Sequence, residues 1–151
     1  MAATITTLYK SYVNGYEQGT ISVSIPSADV LTLNSVPIEV LAARGAGKCI
    51  MLTEIVPKID VYGGTPYATN TNLIFRYADT TSINAASGLL ASVAAKAISP
   101  TSSVGMACAH STPVTFVSNQ GVQVTVASGN PTAGNSTVVI IFSYKVIPVT
   151  S

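Results

Sequence analysis

Residues 43–50, ARGAGKCI, hold a glycine-rich turn ending in Gly47-Lys48, the pairing that cradles phosphate in nucleotide-binding loops. That loop also needs an earlier glycine, where this chain has Ala42, and a Ser or Thr after the lysine to hold Mg²⁺, where it has Cys49. It must also open a helix, whose N-terminal dipole completes the anion site. The next residues are CIMLTEIVPKIDVY, in which Cys49, Met51, Ile55, Ile59 and Val61 recur at the even spacing of a strand around Thr53 and Pro57. The stretch therefore reads as a tight turn between VPIEVLAA and a long strand.

His110, the single histidine, stands two residues from Cys108. Two positions apart on a strand, they face one side and could pair as a thiol–imidazole nucleophile, with Cys49 as a further metal ligand. GMACAHST supplies no Asp or Asn to orient the imidazole, and a structural zinc site wants four ligands. The acids Glu17, Asp29, Glu39, Glu54, Asp60 and Asp79 are isolated in sequence, a pattern that suits the solvated outer face of a sheet. A glycosidase-like carboxylate pair would also need an aromatic-lined cleft, and the chain has no Trp. No catalytic, cofactor-binding or metal-ligating residue is assigned.

The tyrosines point elsewhere. Tyr9, Tyr12 and Tyr16 crowd LYKSYVNGYEQG, and Tyr62 and Tyr67 flank YGGTPY. Tyrosine has an apolar body and a polar tip and is enriched at interfaces, so these five are the candidate assembly residues. Residues 1–18 have poor apolar periodicity and a break at Asn14-Gly15, which predicts a loosely held N-terminal arm ahead of a single domain at 19–151.

Val and Ile outnumber Leu 31 to 8, and β-branched side chains favour pleated surfaces. Strands are expected at 20–25, with Ile21, Val23 and Ile25 inward, and at 36–41, 48–62, 72–78, 113–118, 121–128 and 136–149, with a weaker one at 4–8. Pro57 lacks a ladder donor and calls for a bulge or an edge. The last two strands read as a pair joined through GNPTAGN, with Val122, Val124 and Val126 on one face and VVIIF deep between layers. Across 79–112 the period fades. Leu89, Leu90, Val93 and Ala97 keep helical spacing up to Pro100, which predicts one short helix in a long crossover. The fold class is mostly β, with two packed sheets in a sandwich or jelly roll.

A chain of 151 residues fits one domain with a real core. Its net charge of +1 and scattered Lys and Arg give no basic stripe, which argues against a nucleic-acid partner. VVIIF is too short to span a membrane as a helix, and MAATITTLYK lacks the basic start and apolar core of a signal peptide, which implies retention where the protein is made, in a reducing compartment. With so few cysteines no disulfide framework is expected, and Cys49 acts as a small hydrophobe. Charged residues make up only 9% of the chain while mean hydropathy is +0.48. A monomer of this mass would expose roughly 7,000 Å², about one charge per 500 to 600 Å². That sparseness predicts burial of part of the surface by self-assembly.

The runs VPIEVLAARGAGKCIMLTEIVPKIDV, LIFRYAD and VQVTVASGNPTAGNSTVVIIFSYKVI resemble a family of small structural proteins of tailed bacteriophages. Its members combine a P-x-E-hydrophobic strand, a Gly-Ala-Gly-Lys turn and a C-terminal hairpin of the NPT-x-G-(N/D) kind. The match covers roughly residues 36–78 and 120–148 and rests on structural turns. It implies a β-sandwich or jelly-roll virion component without cofactor, namely a homotrimeric head decoration (cement) protein. Such a protein is made in the host bacterial cytoplasm and binds the major capsid protein on the capsid surface. A tail or fibre component binding a host-surface carbohydrate is the alternative role.

Overall fold

The structure, a computed structural model, describes residues 2–61, 64–65, 67–69, 73–79, 82–86, 106–107, 116–126 and 128–149. Two antiparallel sheets pack as a β-sandwich. The larger has the order β1(Thr4–Val13), β2(Tyr16–Ile25), β9(Thr137–Pro148), β4(Lys48–Val61), β7(Met106–Ala107). The smaller has the order β3(Ile38–Leu41), β8(Val122–Val126), β5(Leu73–Tyr77), β6(Ser82–Ala86). The chain changes sheet at β2–β3, where the short helix α1(Ser27–Val30) lies, and again at the β3–β4 turn.

Alternation in sequence becomes the two inner faces. Ile21, Val23 and Ile25 of β2 and Val138, Ile140, Phe142, Tyr144 and Val146 of β9 are buried from one side, and Leu73, Phe75, Tyr77, Val122, Val124 and Val126 from the other. Phe75 meets Phe142 edge to face across the gap, ring centroids 5.4 Å apart at 77°. β9 is the central strand of its sheet, flanked by β2 and β4. That position is why VVIIF is apolar on successive residues.

Four expectations need correction. β8 and β9 are not a hairpin: they belong to different sheets, and the loop between them crosses the sandwich. This loop is fixed by an isolated bridge from Ala68 to Thr132 and by the Tyr67 hydroxyl, which donates to the Ser136 carbonyl. Second, in β4 the register shifts between Leu52 and Glu54. The shift swaps faces, so Ile50, Leu52 and Ile55 form the buried row and Met51 lies off it, half-buried, while Cys49 is buried as expected. Third, of the strand expected at 113–118 the described residues 116–118 are not strand, β6 and β7 have no counterpart among the expected strands, and the one helix among the described residues is α1. The helix expected at 89–97 lies outside the described residues. Fourth, residues 4–13 are not a loose arm but a full edge strand paired along β2, and a boundary after residue 18 would fall inside β2.

Other readings agree with the structure. ARGAG makes a turn leading into a strand, with Gly45 at φ +95° and Gly47 at φ +70°, and Gly47 N–H donates to Ser118 Oγ at 3.0 Å. Pro57 stands in register with Ile140, between the shifts at Leu52/Glu54 and Ile59/Val61. Thr125 is buried although it points away from the core row. Its hydroxyl donates to the Leu33 carbonyl at 3.0 Å, because the segment after α1 folds over that face.

Gly134 is the tightest point of the crossing loop. Its φ is +96°, and a Cβ there would lie 2.1 Å from the Tyr67 ring. Gly134→Ala should therefore cost about 2–4 kcal/mol of unfolding free energy through strain and overpacking. Urea denaturation should show this loss. Alanine at Gly45, where nothing crowds the site, should cost less.

Candidate functional site: an open edge strand and its anchor

The β1–β2 hairpin is made by its turn. Asn14 (φ 52°) and Gly15 (φ 78°) both adopt positive φ, the two-residue arrangement whose twist suits paired strands. Asn-Gly is therefore no break in an arm but the strongest short-range hairpin signal. Val13 faces Tyr16, Ser11 faces Gln18 and Tyr9 faces Thr20, with a register shift at Leu8.

β1 is the outer strand of its sheet, and it is exposed almost throughout. Of the six large hydrophobic side chains exposed among the described residues, five sit on it: Ile5 (45%), Leu8 (55%), Tyr9 (55%), Tyr12 (63%) and Val13 (52%). Edge strands of lone proteins are usually short or carry free charge, because an open row of N–H and C=O groups templates pairing with another chain. The only charge on β1 is Lys10. It is turned back onto its own molecule.

Lys10 Nζ lies 2.9 Å from Glu17 Oε2. The other oxygen of Glu17 accepts from Arg44 Nη2 at 2.8 Å, Arg44 Nε at 3.1 Å and the Tyr144 hydroxyl at 2.6 Å. Arg44 also donates to the Ala42 carbonyl at 2.7 Å and lies 6.0 Å from the Tyr144 ring centroid, and Lys10 lies 5.6 Å from that of Tyr12. One carboxylate thus ties together β1, β2, the β3–β4 turn and β9. Burial opposes its ionisation, but hydrogen bonds from Tyr144, Lys10 and Arg44 outweigh this and hold Glu17 down at about 2. Burial also raises the Tyr144 hydroxyl, as does its bond to Glu17.

Glu17 does not solvate an outer face, as its isolation in sequence suggests. Its parity with Gly19, Ile21, Val23 and Ile25 puts it on the core face, where a carboxylate needs cations. That parity is visible in the sequence; its partners Arg44 and Tyr144, 27 and 127 residues away, are not. Gly19 keeps the approach open, since a Cβ there would meet the Tyr9 carbonyl at 2.5 Å and the Tyr144 hydroxyl at 3.1 Å. A cleft of about 210 Å³ opens beside the anchor, lined by Tyr12, Tyr16, Glu17, Arg44 and Lys48.

Of the five candidate tyrosines, Tyr9 and Tyr12 lie together on the open strand, and Tyr16 is half-buried at the start of β2. Tyr67 is only 2% exposed and is a core residue fastening the β8–β9 loop, so it cannot serve an interface. Tyr62, Cys108 and His110 lie outside the described residues. Cys49 is buried, 3.0 Å from the Tyr77 hydroxyl, which donates to the Ile50 carbonyl; burial pushes its thiol up. Among the described residues no three His, Cys, Asp or Glu side chains gather as metal ligands, and no helix is long and apolar enough to cross a membrane.

No family model matches the chain, and neither a curated protein nor a solved structure matches it.

The depressed Glu17 carboxyl fixes a pH window. A group whose folded pKa lies below its unfolded value contributes stability that is full above about 4.5 and is lost as pH falls toward about 2. Urea denaturation between pH 7 and pH 2.5 should show this loss. Glu17→Gln should lower stability at pH 7 by on the order of 1 kcal/mol and flatten the acid dependence, because the titrating group is gone.

Proposed function

We propose that the protein is a structural subunit of a virion, a bacteriophage capsid decoration (cement) protein that binds the major capsid lattice and stabilises it. The observation that carries this reading is the open β1 edge, apolar on both faces and with its one charge paired to Glu17. Such an edge is an aggregation hazard on a free monomer and an asset on a subunit whose working state is assembled. The resemblance of residues 36–78 and 120–148 to tailed-phage structural proteins supplies the kind of assembly. It also supplies the homotrimeric state and the capsid-surface location.

The action is mass action rather than catalysis. A protein that binds the assembled lattice and not its dissociated subunits stabilises the shell in proportion to its occupancy. Exposed Tyr9 and Tyr12 suit this role, because tyrosine gives large contact area at small entropic cost.

Immunogold labelling of intact particles tests the reading. Dense label over heads is the expected result, accompanied by earlier release of the genome on heating when the protein is stripped. Label confined to the tail tip would transfer the protein to the carbohydrate-binding alternative, and particles without label would overturn the virion assignment.

A further inference from the structure

We propose that β1 pairs antiparallel with β1 of a second copy of this chain, about a two-fold axis through Ser11, continuing the five-stranded sheet into its twin. The inference deepens the assembly reading above and rests on it for its setting, though its geometry stands on the hairpin alone.

In a two-residue hairpin the residues flanking the turn exchange both backbone bonds, and bonded pairs then alternate with unbonded ones. Val13 with Tyr16 and Ser11 with Gln18 are therefore bonded pairs, so the N–H and C=O groups of Lys10 and Tyr12 point away from β2 to the open side. An axis through Ser11 sets Lys10 opposite Tyr12 of the second copy and Tyr12 opposite its Lys10, and each pair exchanges both bonds. The side chains match as well. Lys10 and Tyr12 share the core-side face, where each lysine stands over a tyrosine of the other copy. Tyr9 and Val13 share the outer face and oppose one another, with the small Ser11 pair at the centre.

Neighbouring registers do worse. An axis through Lys10 sets two lysines face to face, which is unfavourable, and drives Tyr12 onto Leu8, where the register shift breaks the ladder. An axis through Tyr12 runs Lys10 into the Asn14-Gly15 turn and leaves a single bonded pair. The salt bridge to Glu17 partly offsets the one charge that would otherwise oppose approach. A contact this short falls well below the roughly 1,000 Å² of a stable interface. It acts where copies are already concentrated, as side by side on a lattice.

Covalent trapping suits a weak contact. The Ser11 pair is an unbonded antiparallel pair with Cα atoms about 4.5 Å apart, inside disulfide range. In a Cys108→Ser background, Ser11→Cys under a glutathione redox buffer should yield a covalent dimer of twice the 15.5 kDa chain mass. Thr6→Cys, on the same face beyond the register shift, should stay at monomer mass. Adding Tyr12→Pro, which deletes an outward donor and spares the β1–β2 ladder, should cut the Ser11→Cys dimer by roughly ten-fold. Tyr12→Phe should leave the yield unchanged. Ser11→Cys crosslinking no better than Thr6→Cys would overturn the pairing, as would a full dimer yield from the proline variant with its hairpin intact. Labelled heads together with an uncrosslinked Ser11→Cys protein would overturn the pairing and leave the capsid reading standing; a crosslinked dimer with unlabelled particles would do the reverse.

Discussion

Glu17 is the point at which the sandwich and its edge are joined. Its carboxylate sits on the core side of the larger sheet and draws in a lysine from β1, an arginine from the β3–β4 turn and the tyrosine of β9. A charge in such a place is costly unless donors surround it. Here the partners come from separate parts of the chain, so ionisation and correct assembly of the rim depend on each other. The consequence for β1 is direct. A strand with almost no buried side chains of its own is held by backbone pairing to β2 and by one ion pair into the rim.

That economy explains the character of the surface. Packing stabilises β2, β9 and the smaller sheet, whose inner residues are almost wholly buried. β1 contributes little to this core, and yet it extends for ten residues with Ile5, Leu8, Tyr9, Tyr12 and Val13 exposed. Burial of such side chains on association releases apolar area at about 25 cal/mol per Å², a gain left unrealised in the isolated chain. Low overall charge, 9% of residues, keeps repulsion between copies small. Sheet edge, side chains and composition all support the proposed assembly.

How far the sequence reveals this depends on range. Local patterns are legible: the alternation of β2 and β8, the apolar run of β9 and the turn at Gly45 to Lys48 all follow from periodicity and turn chemistry. Partnership between sheets is not. β8 and β9 look like a hairpin because a turn-rich loop joins them, and only the crossing of the sandwich, fixed by Tyr67 and Gly134, separates them. The shift after Leu52 inverts the facing of half of β4, an event with no local signature. For the site, the cluster of Tyr9, Tyr12 and Tyr16 falls on the β1–β2 hairpin, but poor periodicity leaves only a weak strand legible at 4–8. An edge strand exposed on both faces has no reason to alternate. Asn14-Gly15 is the local clue to that strand, whereas Glu17's partners are out of reach of sequence because they are assembled by the fold.

The most direct test is residue-resolved amide hydrogen exchange of β1, measured on dilute protein and again on the assembled protein. In dilute solution the amides of Ser11 and Val13 should be protected by β2 while those of Lys10 and Tyr12 exchange freely, and assembly should protect the latter two. Lys10 and Tyr12 amides that are already slow in dilute protein, or that remain fast once assembled, would contradict the account of β1 as an open edge that assembly closes.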